Sequence, residues 1–168
     1  VVRATANELG VVDPVTRAEQ ALADLSGEFS EWMEKDCEQL DAARREIEAT
    51  GLSKATCDDL FRAAHDIRGQ AETFGYPAAA PVADSLCRLL EHCPDPLRIP
   101  LILIHQHVDA VRAIVHRNAQ GNTEEKAQRL GLRLRQVTDE FLIHENSDRP
   151  GYLEGIVAPP TAPADLSD

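Results

Sequence analysis

One stretch of this 168-residue chain, Ala63 to Tyr76, reads AAHDIRGQAETFGY. It sets His65, Arg68 and Gly69 within a single helical turn, with a second glycine, Gly75, further on. A free imidazole has a pKa near 6.5, so at neutral pH it offers an uncharged nucleophilic nitrogen without special tuning. An arginine at i+3 on the same helix face adds a permanent cation with several hydrogen-bond donors. Glycine inside a helix costs about 1 kcal/mol relative to alanine, so Gly69 calls for a reason, and a missing side chain beside the ring clears space. Together these residues suit a histidine that is approached by something large, carries an anion and gives it up again.

The helix that would position them can be drawn from its period of about 100° per residue. With His65 at zero, Leu60, Ala63, Ala64, Ile67, Ala71 and Phe74 fall at about 160° to 260° and form the buried stripe. Asp58, Phe61, Arg68, Gly69 and Glu72 lie within about 60° of the histidine. His65 therefore faces outward, and Phe61 puts an aromatic ring on a stripe that should be polar.

Thr56 followed by Asp59 reads as a capping box that opens this helix, and Gly75 as the C′ residue that ends it after Phe74. Before it, Asp13-Pro14 reads as an N-cap and first helical residue. Leu22, Leu25, Phe29, Trp32 or Met33, Leu40, Ala43 and Ile47 then mark one long amphipathic helix, or two joined at Ser26-Gly27, ending before Gly51. A third helix starts near Ala78 with the stripe Val82, Leu86, Leu89, Leu90 and Cys93. A fourth opens around Pro100 with Leu101, Ile104, Val108, Val111 and Val115, and stops at Gly121-Asn122. The last, capped by Thr123, uses Leu130, Leu134, Val137 and Phe141. No window alternates with period two. Short connections between amphipathic helices predict an all-α, up-and-down antiparallel four-helix bundle with an additional C-terminal helix and a Pro-rich tail. The boundaries expected are an N-terminal extension over 1–12, the bundle over 13–120, the extra helix over 121–145 and a flexible tail over 146–168.

Composition removes several functions. The net charge is −12, and residues 1–50 hold twelve acids against five bases. Nucleic acid and anionic membranes both require clustered Lys and Arg. The longest apolar cluster, LILI at 101–104, is far too short to span a bilayer. No basic start followed by an apolar run suggests an export leader, so a cytoplasmic location is expected. The opening Val1, in place of methionine, is expected of a trimmed chain. Cys37, Cys57, Cys87 and Cys93 lack paired spacing and read as buried apolar residues. Of the other histidines, His105 and His107 point about 160° apart, and His105 and His116 are about 16 Å apart along one helix, so neither pair can chelate a metal. His92 and His144 stand near helix ends, where histidine is favourable.

The run His65-Asp66-Ile67-Arg68-Gly69, followed after five residues by Gly75, resembles the histidine phosphotransfer (HPt) domain pattern HxxKGxxxxxG, with arginine where lysine is commoner. The resemblance covers residues 20–118. It implies a phosphocarrier, with no turnover of its own, in which His65 takes a phosphoryl group from a receiver-domain aspartate and hands it to another. Arg68 would stabilise the phosphate charge, Gly69 would leave clearance for the partner, and Phe61, Ala64 and Glu72 would line the docking surface, with Gly75 structural. Transfer would be through Nε2. The resemblance also implies response-regulator receiver domains as partners, with a hybrid histidine kinase upstream, and a monomeric state. Mg²⁺ would come with the receiver, since no metal site or bound cofactor is expected in this chain. The third helix should pack beside His65, with Cys87, Arg88 and Glu91 as candidates to orient the ring. Two other readings fit parts of the pattern. One is a degenerate histidine-kinase-like dimeric phosphotransferase, because HDIR also resembles the kinase phosphoacceptor box, although Gly69-Gln70 replaces its usual continuation. The other is a non-catalytic helical adaptor that docks a receiver domain.

Overall fold

A computed structural model describes residues 13–117 and 124–157. Among these residues it contains six α-helices, a short 3₁₀ turn at Pro96–Arg98 and no strand. The helices are α1 Pro14–Thr50, α2 Lys54–Gln70, α3 Ala79–His92, α4 Leu101–Arg117, α5 Glu124–Glu145 and α6 Pro150–Val157. Helix α1 packs on α2 and α4, and α3 packs on the same two, so four helices close a ring of contacts. Helix α5 lies mainly against α3, with α4 as its second neighbour.

The core is aliphatic, as the low aromatic content requires. Its fully buried members include Met33, Leu40 and Ile47 from α1, Leu60 and Ile67 from α2, Leu86 and Leu89 from α3, and Ile104 and Val108 from α4. Helix α5 adds Leu134 and Leu142 to the same cluster. The fifth helix is therefore part of the core. Arg44 is buried in the seam of α1, paired with Asp41 of its own helix and Asp109 of α4.

Several boundaries differ from those the sequence suggests. Helix α1 is continuous through Ser26-Gly27, but the front of its apolar stripe does not enter the core. Leu22, Leu25 and Trp32 are exposed, because a 37-residue helix outruns the 17-residue α2 and α4 against which it packs. The N-cap of α2 is Ser53, reciprocally bonded with Thr56, and not Thr56 with Asp59. Helix α2 ends at Gln70. Residues 71–75 follow as a hydrogen-bonded turn in which the Gly75 N–H donates to the Glu72 carbonyl and the Tyr76 N–H to that of Ala71. This is a Schellman closure, and Gly75 has the positive φ of 90° that it needs. Helix α3 begins one residue later than predicted, and Asp13 makes no side-chain cap to α1. The predicted stop at Gly121-Asn122 and the cap at Thr123 lie outside the described residues.

The segment read as a loose tail from residue 146 contains α6, which folds back on α3. Its Tyr152 hydroxyl lies 2.6 Å from Nδ1 of His92, Arg88 donates to the Ile156 carbonyl, and Arg149 sits 4.3 Å from the centre of the Tyr152 ring. Two glycines and a proline within eight residues hide this helix from a periodicity argument.

All four cysteines are free and buried. Desolvation pushes the thiol pKa of Cys37 up to about 12 and that of Cys87 to about 11. Thiols held so far from ionisation are poor nucleophiles and poor metal ligands.

Candidate functional site

His65 lies in the C-terminal half of α2 and is exposed to solvent. Its helical neighbours Leu60, Ala64 and Ile67 are fully buried on the opposite stripe. The ring makes no hydrogen bond or ion pair with any described residue. Its one ring neighbour is Phe61, one turn earlier, at a centroid distance of 5.9 Å and a tilt of 37°. Phe61 is half-buried, with part of its ring against the core and part against the imidazole.

Arg68 is tied by an ion pair to Asp84 of α3, with a donor–acceptor distance of 3.2 Å. Asp84 uses its other oxygen for Arg135 of α5, also at 3.2 Å. Arg135 in turn holds Asp139, which accepts from Arg88 of α3. Alternating charges thus run from α2 across α3 to α5, with the cation beside His65 at one end. The Arg68 and Asp84 side chains are each 36% exposed. A pair this wet has a small net energy and can exchange one anion for another.

A Cβ built on Gly69 would meet nothing within 4 Å. The fold does not demand glycine there, and the space it leaves is open to solvent. Gly69 is the second-last residue of α2, so its helix-propensity cost is smaller than an interior position would carry. Glu72 is exposed in the following turn. Ala64 does not belong to any docking surface: it is fully buried, since a residue one position before His65 turns about 100° away from it.

None of the three candidates on α3 reaches the imidazole. Cys87 is in the core, Arg88 is committed to Asp139 and Ile156, and Glu91 stands beside His92. Instead α3 supplies Asp84, through Arg68. The sequence does not pair Arg68 with Asp84, because the two are 16 positions apart on different helices.

A groove between the start of α2 and the end of α3 was also not foreseen. It is lined by Leu52, Cys57, Phe61, Leu90 and Leu97, and the carboxylates of Asp58, Glu91 and Asp95 stand around it. It reaches the histidine through Phe61. Among the described residues no group of three or more His, Cys, Asp or Glu side chains could hold a metal ion, and no helix is long and apolar enough to cross a membrane.

The second polar cluster is internal. His107 of α4 is fully buried. Its Nδ1 lies 2.7 Å from the Leu103 carbonyl, an acceptor only, so Nδ1 carries the proton. Nε2 is then an acceptor, and the hydroxyls of Ser85 on α3, at 2.8 Å, and Thr138 on α5, at 3.3 Å, stand next to it and 3.1 Å from each other, so that one of them donates to the ring. Burial lowers the pKa of this ring. Sealed from solvent, the cluster pins three helices together.

Among the described residues, the all-helical body thus presents on α2 an exposed histidine without a hydrogen bond, with a cation one turn away and open space beside it. The Hpt domain family model matches residues 24–114, more than half of the chain. The chain belongs to the Hpt domain family, whose members are phosphocarrier modules of two-component phosphorelays. The match includes most of α1 and all of α2 and α3, and ends within α4. No curated protein and no solved structure matches this chain.

Proposed function

We propose that this protein is a cytoplasmic phosphocarrier in which His65 accepts a phosphoryl group from the aspartyl phosphate of one receiver domain and passes it to the aspartate of another. The observation that carries this reading is the solvent-facing, unengaged imidazole of His65 in a chain of the Hpt family. Its scaffold is the ring α1–α4, read as an up-and-down antiparallel bundle.

In the first half-reaction a neutral ring nitrogen, Nε2, attacks phosphorus as the bond to the donor aspartate oxygen breaks, giving phosphohistidine and a free carboxylate. The second half-reaction is the reverse on another receiver. Such transfer asks mainly for alignment and charge stabilisation. Arg68 supplies the charge by shifting from Asp84 to the phosphoryl oxygens, while Arg135 remains to neutralise Asp84. Gly69 leaves room for the receiver's active site to close over the ring. Mg²⁺ belongs to the receiver. The docking surface comprises Phe61, Glu72 and the groove beside Phe61, whose acidic border favours receivers with basic residues around their phosphorylation site.

The test is phosphotransfer from a set of phosphorylated receiver domains to the purified chain, with His65→Gln as the control. Labelling of the natural chain and none of the variant, at unchanged helicity and melting temperature, is the expected result. Equal labelling of the variant refutes the site. Binding of receivers without labelling of either chain would mark an adaptor instead.

A further inference from the structure

The first part of α1 projects from the body, and every residue from Asp13 to Glu28 is exposed. Its apolar residues are not scattered. Val15, Ala18, Leu22, Leu25, Phe29 and Trp32 follow one another at intervals of three and four, the seam of a coiled coil. Val15 is 61% exposed, Leu22 65%, Leu25 42% and Trp32 47%. At its inner end the seam joins an aromatic cluster, with Phe29 stacked on Phe74 at 5.1 Å and Trp32 at 5.7 Å from the same ring. Much of this overhang precedes the region matched by the family model, which starts at residue 24.

We propose that the seam is covered by a second copy of the chain, the two overhangs lying antiparallel and forming a symmetric dimer. Size complementarity sets the register. With Leu22 of one copy opposite Leu25 of the other, Ala18 meets Phe29 and Val15 meets Trp32 at both ends, small against large. The acids Asp13, Glu19, Asp24, Glu28 and Glu31 all lie off the seam; in this register Glu19 comes level with Glu28 of the second copy but on the other flank of the seam, where its neighbour is Ser26, and Glu28 has Ala21 as its neighbour. Arg17, the base of the overhang, comes level with Ser30 of the second copy, between its Glu28 and Glu31. Direction follows from the body. Toward its C-terminus the apolar side of α1 continues into Met33, Cys37, Leu40 and Ile47, which the body covers. A parallel partner would run into those packed helices, whereas an antiparallel one brings the first turn of its α1 beside Trp32. Fewer than three full heptads make a short seam, so the dimer is reversible, with a dissociation constant on the order of micromolar.

This dimer replaces the monomer that the family resemblance implies, and it is independent of the relay chemistry. Sedimentation equilibrium of the whole chain from about 1 µM to about 1 mM, a span set by that affinity range, should show reversible dimerisation. Leu22→Glu combined with Leu25→Glu should raise the dissociation constant at least about 100-fold, because it buries charge in the seam, while His65 labelling stays unchanged. A spin label on Glu31→Cys fixes the direction, the native cysteines being buried. Antiparallel strands put the two labelled backbone positions about 25 Å apart and parallel strands about 13 Å. A monomer at every concentration, or a dimer indifferent to the double substitution, as one pairing through α2 would be, overturns the proposal. A short label distance overturns the antiparallel register.

Discussion

The buried imidazole of His107 makes folding pH-dependent in a way that can be worked out. Burial lowers its pKa below the ordinary value of 6.5, so the folded state favours the neutral ring. The unfolded chain then binds the extra proton as the pH falls through 6.5, and stability declines with it. The upper bound, reached by a ring that stays neutral when folded, is about 2 kcal/mol for lowering the pH from 7.5 to 5.0. In a domain of this size that corresponds to a fall of about 4–8 °C in melting temperature. The contribution is fully present above pH 6.5 and is lost below it.

Other groups titrate as well. Partial burial lowers the pKa of His92, which adds to the loss. Burial and the nearby Asp66 raise the pKa of Asp36, which acts in the opposite sense, since protonation relieves a disfavoured carboxylate. The assay is therefore a difference: melting temperature against pH for the natural chain and for His107→Gln, which cannot ionise. The variant should be less stable at pH 7.5, by about 1–3 kcal/mol for disturbed buried hydrogen bonds, but its curve should be flatter between pH 7.5 and 5.0. An NMR titration of the natural chain provides a second readout, in which the His107 ring takes up its proton at a lower pH than a free imidazole does. Parallel curves for the two chains, or a folded ring that titrates near 6.5, would refute the account of this cluster.

Two further outcomes follow from the site. Arg68→Ala should slow phosphotransfer by about 10- to 100-fold, as loss of one charge-assisted contact to the phosphoryl group predicts, while changing stability by less than about 1 kcal/mol because its ion pair is half-exposed; rapid-quench kinetics beside a thermal melt separates the two effects. Gly69→Leu should raise the melting temperature slightly, by helix propensity, yet block transfer from receivers, and normal transfer rates would sink the clearance argument.

What could be read without coordinates was local. A 3.6-residue period, a glycine at a helix end and a change in apolar spacing act within a few neighbours, so the five longer helices and the outward aim of His65 follow from the order of residues. The same reasoning sends Ala64 inward, and the structure buries it. Errors arose where distant segments decide. Whether Leu22 or Met33 is covered depends on the length of the helices beside α1, not on the stripe itself. Arg68 finds Asp84, and Ser85 finds His107 and Thr138, only after α3, α4 and α5 have packed. Helix α6 is short and rich in glycine, and it gains its contacts from His92 and Arg88 on α3. The amino-acid order thus sets helix type and helix face, because backbone hydrogen bonds and side-chain period are short-ranged. Packing alone sets which cation meets which carboxylate and which apolar face is left over, because those contacts join residues that the chain keeps far apart.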